Sequence, residues 1–216
     1  MDVSLGNRLF CLAILSALFL TSCGNRFDLE TERGRQARID DANYHLSKGE
    51  CGAAHEAINP IYNSSHVDDE VRLVKASAHA CDGGFNLLTL AGNLDGASNY
   101  FQVLAKSMNN TAGDSKRASM YAAVDVLTQS GTKLEANQRS AKVNTYMVFI
   151  QLGVAGAILR NYGSPTASGA KGANLDYTVD GSTGAGEMSM EDACGLTAAF
   201  AIMSDSFSHS NLADDD

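Results

Sequence analysis

Apolar residues recur at helical spacing through the first two thirds of the chain, and this spacing constrains the fold more than any other feature. Stripes at intervals of three and four residues are typical of helices that bury one face. Alternation with a period of two, as in strands, is scarce, and the 216 residues include only two prolines. Four stripes are clearest: Ile39, Ala42 and Leu46; Ala54, Ala57, Ile58 and Ile61; Val71, Val74, Ala78 and Cys81; Met120, Val124 and Leu127. The chain is therefore predicted to be all-α.

Two of these segments are similar to each other at a shift of 34 residues. The stretch ANYHLSKGE aligns with ASAHACDGG, which matches Ala42 with Ala76, His45 with His79 and Gly49 with Gly83. The period and the segment from Lys48 to Pro60 resemble tetratricopeptide repeats, in which two antiparallel helices form one unit. The resemblance implies a tetratricopeptide-like array of helical hairpins, with two degenerate repeats over residues 34–95 and irregular helices beyond.

The amino terminus carries an uncharged apolar run, Leu9–Leu20, that is too short to span about 30 Å of hydrocarbon but suits a secretory signal. The sequence that follows, Leu20-Thr-Ser-Cys23, resembles the lipobox of bacterial lipoproteins. In that family the cysteine thiol receives diacylglycerol, the chain is cut before it, and the new amino terminus is acylated. The resemblance implies that Cys23 is the lipid anchor. Gly24, in place of a retaining aspartate, implies the periplasmic face of the outer membrane.

The predicted organisation has four parts, of which the third is the folded domain. They are a lipoprotein signal peptide (1–22), the lipidated cysteine with a polar tether (23–33), a helical-repeat domain (34–210) and an acidic tail (211–216). Within the domain, a glycine-rich loop at 163–186 precedes the last helix. The formal net charge of −9 argues against nucleic acid as a partner.

The segment 145–159 (TYMVFIQLGVAGAIL) is the most apolar part of the chain after the signal. A second membrane span is one interpretation, but fifteen residues with Gln151 among them fall short of the length required. We therefore predict a central buried helix in which Gly153 and Gly156 allow a neighbouring helix to approach closely. The polar stretch Glu135–Lys142 before it suggests one long helix that enters the core only in its second half.

No pattern of residues typical of a catalytic site is present. The histidines do not show a metal-ligand spacing, and a nucleophile elbow, a Walker motif and a dinucleotide fingerprint are all missing from the sequence. We therefore predict no enzyme activity, no catalytic residues and no cofactor, and we assign His45 and His79 a structural role at helix ends.

One segment, Asp176–Glu187, resembles an EF-hand calcium loop. It has acids at positions one, five and twelve (Asp176, Asp180 and Glu187) and glycine at position six. Position three is threonine, position eight is Thr183, and no helix pattern precedes it. A glycine-rich surface loop without metal is therefore the preferred interpretation, and calcium binding is the alternative.

Besides Cys11 in the signal peptide and Cys23 at the lipid anchor, the chain has three cysteines. Cys51 opens the second helix and Cys81 closes the third, so an antiparallel array brings both to the same edge. A Cys51–Cys81 disulfide is predicted, as suits an oxidising periplasm. Cys194 is then a buried free thiol in the apolar last helix. The alternative is a bridge between Cys194 and either of the other two.

Two functions are compatible with these features. The first is a membrane-anchored scaffold or adaptor that binds a protein partner in the bacterial cell envelope, because stacked helix pairs form a surface rather than a reactive cleft. The second is a periplasmic ligand-binding module that accompanies a solute transporter. A deep pocket with converging polar groups favours the second, and an exposed apolar surface favours the first.

Overall fold

A computed structural model describes the chain over 28–63, 65, 67–86, 90, 92, 103–104, 107–108, 114–129, 133–163 and 188–212. Within these residues there are six α-helices and no β-strand. In chain order they are α1 (Glu32–Ser47), α2 (Cys51–Tyr62), α3 (Asp69–Asp82), α4 (Asp114–Leu127), α5 (Ala141–Gly163) and α6 (Met190–Ser208). The predicted all-α class is confirmed. The signal peptide with Cys23, most of the glycine-rich loop and the end of the tail lie outside the described residues.

Side chains cap the amino-terminal ends of three helices and so satisfy backbone N–H groups that have no partner within the helix. Thr31 Oγ1 accepts a hydrogen bond from Gly34 N at 3.0 Å, and Asp68 Oδ1 accepts one from Val71 N at 2.9 Å. Because Thr31 is the cap, α1 begins at Glu32, and the last two residues of the predicted tether belong to this helix.

The first three helices share one hydrophobic core, built from the predicted stripes. The chain turns from α1 into α2 at Gly49, whose φ of +72° lies in the region that glycine adopts without strain. The buried members of this core are Ile39, Ala42, Ala57, Ile58, Ile61, Val71 and Val74.

Helix α3 also belongs to a second core, which it forms with α4, α5 and α6. Its Leu73, Ala76 and Ala80 are buried there with Met120 and Met147. Two faces of α3 are thus buried against different partners, which leaves little exposed surface on this helix. It links the two halves of the described fold.

Helix α5 is the predicted central helix. Of the described helices it alone is long and apolar enough to cross a membrane, but 72% of its apolar window is buried inside the fold. A Cβ added to Gly153 would lie 2.4 Å from Met120 Cε, and one added to Gly156 would lie 2.9 Å from the Leu104 carbonyl oxygen. Both glycines therefore permit the close approach that the sequence indicates.

The expectation of one long helix from Glu135 is wrong. A short 3-10 helix, Ala136–Gln138, comes first, and α5 begins only at Ala141. Ser140 Oγ accepts a hydrogen bond from Val143 N at 3.2 Å and so satisfies a donor at this new helix start.

Cys194 is a free thiol, as predicted, but it is exposed rather than buried. The face of α6 that is turned inward carries Asp192, Ala199 and Ser206. Asp192 forms an ion pair with Arg117 of α4, and Ser206 Oγ accepts a hydrogen bond from Arg139 at 3.0 Å. Asp192 and Ser206 thus have polar partners on the inner side of α6, and Cys194 lies on the opposite side, which is exposed to solvent.

Candidate functional site

The interface between α2 and α3 is closed at one end by two cysteines. Cys51, the first residue of α2, and Cys81, near the end of α3, have their sulfur atoms 1.98 Å apart and their Cα atoms 5.5 Å apart. The pair that the sequence predicts is thus the pair at disulfide distance. A bridge between these two cysteines sets the alignment of the antiparallel helices α2 and α3.

That alignment brings three potential ligands together beside the cysteines. His55 lies one turn after Cys51 on α2, whereas His79 and Asp82 flank Cys81 on α3. His55 Nε2 is 2.8 Å from Asp82 Oδ2, and the two imidazole rings meet edge to face with centroids 4.5 Å apart. We call His55, His79, Asp82 and the neighbouring Lys75 the α2–α3 polar cluster.

Lys75 is the buried member of this cluster, with only 8% of its surface exposed. Its Nζ lies 2.7 Å from His55 Nδ1 and 2.7 Å from Asn59 Oδ1. An ammonium donates to both atoms, so His55 Nδ1 accepts and Nε2 carries the hydrogen that is donated to Asp82. Lys75, His55 and Asp82 therefore form a continuous chain of hydrogen bonds across the two helices.

Burial shifts the protonation of two of these groups. Burial, together with the nearby Lys75 and His55, lowers the pKa of His79 to about 4, against the opposing effect of Asp82. Burial also lowers the pKa of Lys75, again against the attraction of Asp82. His79 thus keeps an uncharged ring, with a nitrogen lone pair available, well below neutral pH.

The donor atoms of His55, His79 and Asp82 all lie within 4.8 Å of one another. Two imidazoles and a carboxylate form a ligand set that first-row transition metals accept. The chemistry that these hydrogen-bonded imidazole, carboxylate and amine groups offer includes metal coordination and proton exchange.

Comparison with known proteins returns no match. No family model, no curated protein and no solved structure is significantly similar to the chain. What this chain does must therefore be inferred from its own residues.

The other residues singled out in the sequence are not part of this cluster. His45 lies in the last turn of α1, where its Nδ1 is 2.7 Å from Glu50 Oε2. Its position agrees with a structural role at a helix end. Cys23 and the possible calcium ligands Asp176, Asp180 and Glu187 lie outside the described residues.

Sequence reasoning assigned His79 a structural role and missed its grouping with His55 and Asp82. Two signals pointed to it. His79 and Asp82 are three residues apart, which places them on one face of a helix. The predicted Cys51–Cys81 bridge then fixes the alignment that carries His55 to the same place.

A second unusual surface lies on α6. Met190 is 62% exposed, and the residues next to it on the same side of the helix are small or apolar. We call this surface the α6 outer face; it comprises Met190, Ala193, Cys194, Thr197, Ala198 and Ala201, which line a shallow groove. Exposed acids lie beside it, Glu191 at its start and Asp205 one turn beyond Ala201.

Proposed function

We propose that the chain is a lipid-anchored adaptor of the bacterial cell envelope, held to the outer membrane through Cys23 and exposed to the periplasm. In this proposal its helical domain has a tetratricopeptide-like arrangement of hairpins. The domain binds one helical segment of a partner protein on the α6 outer face.

Two observations support the location. The lipobox resemblance at Leu20–Cys23 implies export and acylation, and three acyl chains hold a protein at a membrane far more firmly than one. The Cys51–Cys81 pair at disulfide distance suits an oxidising compartment such as the periplasm.

The α6 outer face is the observation that carries the binding function. An apolar surface rimmed by polar residues is typical of protein interaction sites. Its side chains are mostly small, so that a partner helix could approach the α6 backbone closely and bury larger apolar side chains against it. Glu191 and Asp205 border this face, and the chain has a net charge of −9, so the electrostatic potential there is negative. The partner segment therefore carries lysine or arginine at its ends.

Photo-crosslinking in the native envelope tests this function. A photoreactive amino acid at Ala198 probes the α6 outer face, and the same amino acid at Asn43 of α1, also exposed, is the matched control. We expect an adduct from position 198 only, joined to an apolar helical segment with basic flanks. The adduct should disappear when Ala201→Arg places a charge beside it.

Three results would contradict the proposal. They are equal adducts from both positions, no adduct at position 198, and an adduct at 198 that joins only residues of this chain. Cys23→Ser tests the anchor separately, because the variant should leave the detergent phase in which the wild-type protein partitions.

The second candidate, a ligand-binding module, is favoured by a different observation. A cavity of about 540 Å³ lies between α4, the 3-10 helix and α6, and charged groups of both signs line it, including Lys133, Glu135, Arg139 and Asp205. Its size is that of small-molecule sites, and its charges suit a zwitterionic solute. NMR titration with amino acids or betaines tests this function. A shift of the Arg139 signals that saturates with added solute, and that is abolished in the Lys133→Ala variant, would favour this function over the adaptor.

A further inference from the structure

The geometry points to a binding site for a divalent transition metal, formed by His55 of α2 and by His79 and Asp82 of α3. This site is independent of the α6 outer face and goes beyond the adaptor function. It lies beside the disulfide, at the end of the α2–α3 interface.

The first argument is distance. Around one zinc ion, nitrogen ligands lie about 2.0–2.1 Å and carboxylate oxygens about 2.0–2.2 Å from the metal, so that neighbouring donor atoms are roughly 3–3.5 Å apart. The three donor atoms here already lie within 4.8 Å of one another, and the closest pair, His55 Nε2 and Asp82 Oδ2, is at 2.8 Å. Small side-chain rotations suffice to bring all three onto one ion.

The second argument is rigidity. Each ligand lies within four residues of Cys51 or Cys81, and the bridge between these cysteines holds the two helices in register. The backbone therefore does not have to move when the ion binds. Asp82, whose side chain is 41% exposed, can adjust its carboxylate, whereas His55 is 16% exposed and held by its neighbours.

The third argument concerns the kind of metal. Imidazole nitrogen favours zinc, copper, nickel and cobalt, whereas calcium and magnesium prefer oxygen ligands. Three protein ligands leave at least one position for water or for a ligand from a partner. We therefore assign the site to zinc or a similar ion.

Lys75 shapes the affinity of this site. The ion replaces the hydrogen on His55 Nε2, so the uncharged ring then carries its hydrogen on Nδ1, facing Lys75 Nζ at 2.7 Å. An ammonium at this position donates hydrogen bonds and cannot accept one, so the positive charge of Lys75 opposes the binding of a cation at His55.

The test is calorimetric titration of the full mature chain, made without a polyhistidine tag and treated with EDTA, with zinc chloride as the probe. We expect one zinc ion per chain with micromolar affinity. His79→Ala and Asp82→Asn should each weaken binding at least tenfold. Asp82→Asn keeps the shape of a partly exposed side chain, so it provides a folded variant if His79→Ala proves unstable.

Two further variants sharpen the result. His45→Ala is the matched control, because His45 also lies beside carboxylates, those of Asp41 and Glu50, but belongs to no group of three potential ligands among the described residues. The variant should bind zinc as the wild type does. Lys75→Gln should bind more tightly, by about tenfold, because it removes a positive charge and offers an oxygen to His55 Nδ1.

The proposal is overturned if no zinc binds at about 100 µM, a concentration that would detect binding roughly a hundredfold weaker than the micromolar affinity expected. It is also overturned if His45→Ala weakens binding as much as His79→Ala, or if Asp82→Asn and Lys75→Gln leave the affinity unchanged. A single site with the expected order of affinities supports it.

Discussion

The α2–α3 polar cluster and the α6 outer face depart from the usual burial pattern in opposite directions. The first buries a lysine and places two histidines at a helix interface; the second leaves a methionine and a thiol exposed to solvent. In both places, polar residues that have hydrogen-bond or ion-pair partners lie inside the fold. Lys75 is buried where His55 and Asn59 accept its hydrogen bonds. Met190 lies on the outer side of α6, away from Asp192 and Ser206, which are paired with arginines.

The comparison shows how polar residues can decide which side of a helix is buried. Asp192 and Ser206 turn inward because Arg117 and Arg139 bind them. Satisfied polar groups are tolerated inside a protein, whereas unsatisfied ones are not. Leu196, Phe200 and Ile202 of α6 pack against the hydrophobic cores. The opposite side of the helix keeps the methionine, the thiol and small residues, where a partner can reach them.

The largest expected effect concerns the disulfide that clamps the polar cluster. Replacing Cys51 and Cys81 together by alanine should lower the free energy of unfolding by about 3 to 4 kcal/mol, because a bridge across 30 residues restricts the unfolded chain. Urea denaturation with and without reductant measures this loss of stability. Cys194→Ser, on the exposed face, is the control and should change stability by less than about 0.5 kcal/mol. A larger loss for Cys194→Ser than for the double variant would contradict the comparison.

A smaller effect comes from His79. Its pKa is about 4 in the folded protein and near the ordinary value of 6.5 in the unfolded chain, so between these values the unfolded state binds more protons. Stability should therefore fall as the pH drops from about 6.5 to about 4, by about 1 to 2 kcal/mol after allowance for solvent screening.

Urea denaturation of the metal-free protein at several pH values measures this dependence. His79→Gln should lose this part of the pH dependence. His209→Gln, which changes an exposed histidine, should retain it. If both variants and the wild type lose stability in parallel, His79 does not titrate as described.

The smallest effect on stability is expected at Cys194. Because its thiol is exposed on the α6 outer face, maleimide should modify it in the folded protein without reductant and leave the unfolding midpoint unchanged. Cys51 and Cys81 should react only after reduction and unfolding. Mass spectrometry of digested peptides distinguishes the three, and protection of Cys194 in the native fold would contradict its exposure.

The helices around the first core could be predicted from the sequence because each buries one regular stripe. The Cys51–Cys81 pair followed from these helices, since both cysteines lie at helix ends. The grouping of His55 with His79 could not be read from local spacing, because it arises only once α2 and α3 are aligned side by side. The exposure of Cys194 was missed for a related reason: α6 is apolar around much of its circumference. Its inward side is set by contacts with distant segments, such as those of Asp192 with Arg117 and of Leu196 with the core, which local spacing does not give.

The most direct test of the buried polar cluster is the titration of His79 itself. NMR spectra of the ring protons in the metal-free protein, recorded from pH 3 to pH 8 and assigned with the His79→Gln variant, give its pKa. Burial beside Lys75 and His55 predicts a value of about 4. A midpoint near the ordinary 6.5 would show that the ring is solvated, and would contradict the account of α2 and α3 as an interface that encloses a desolvated polar cluster.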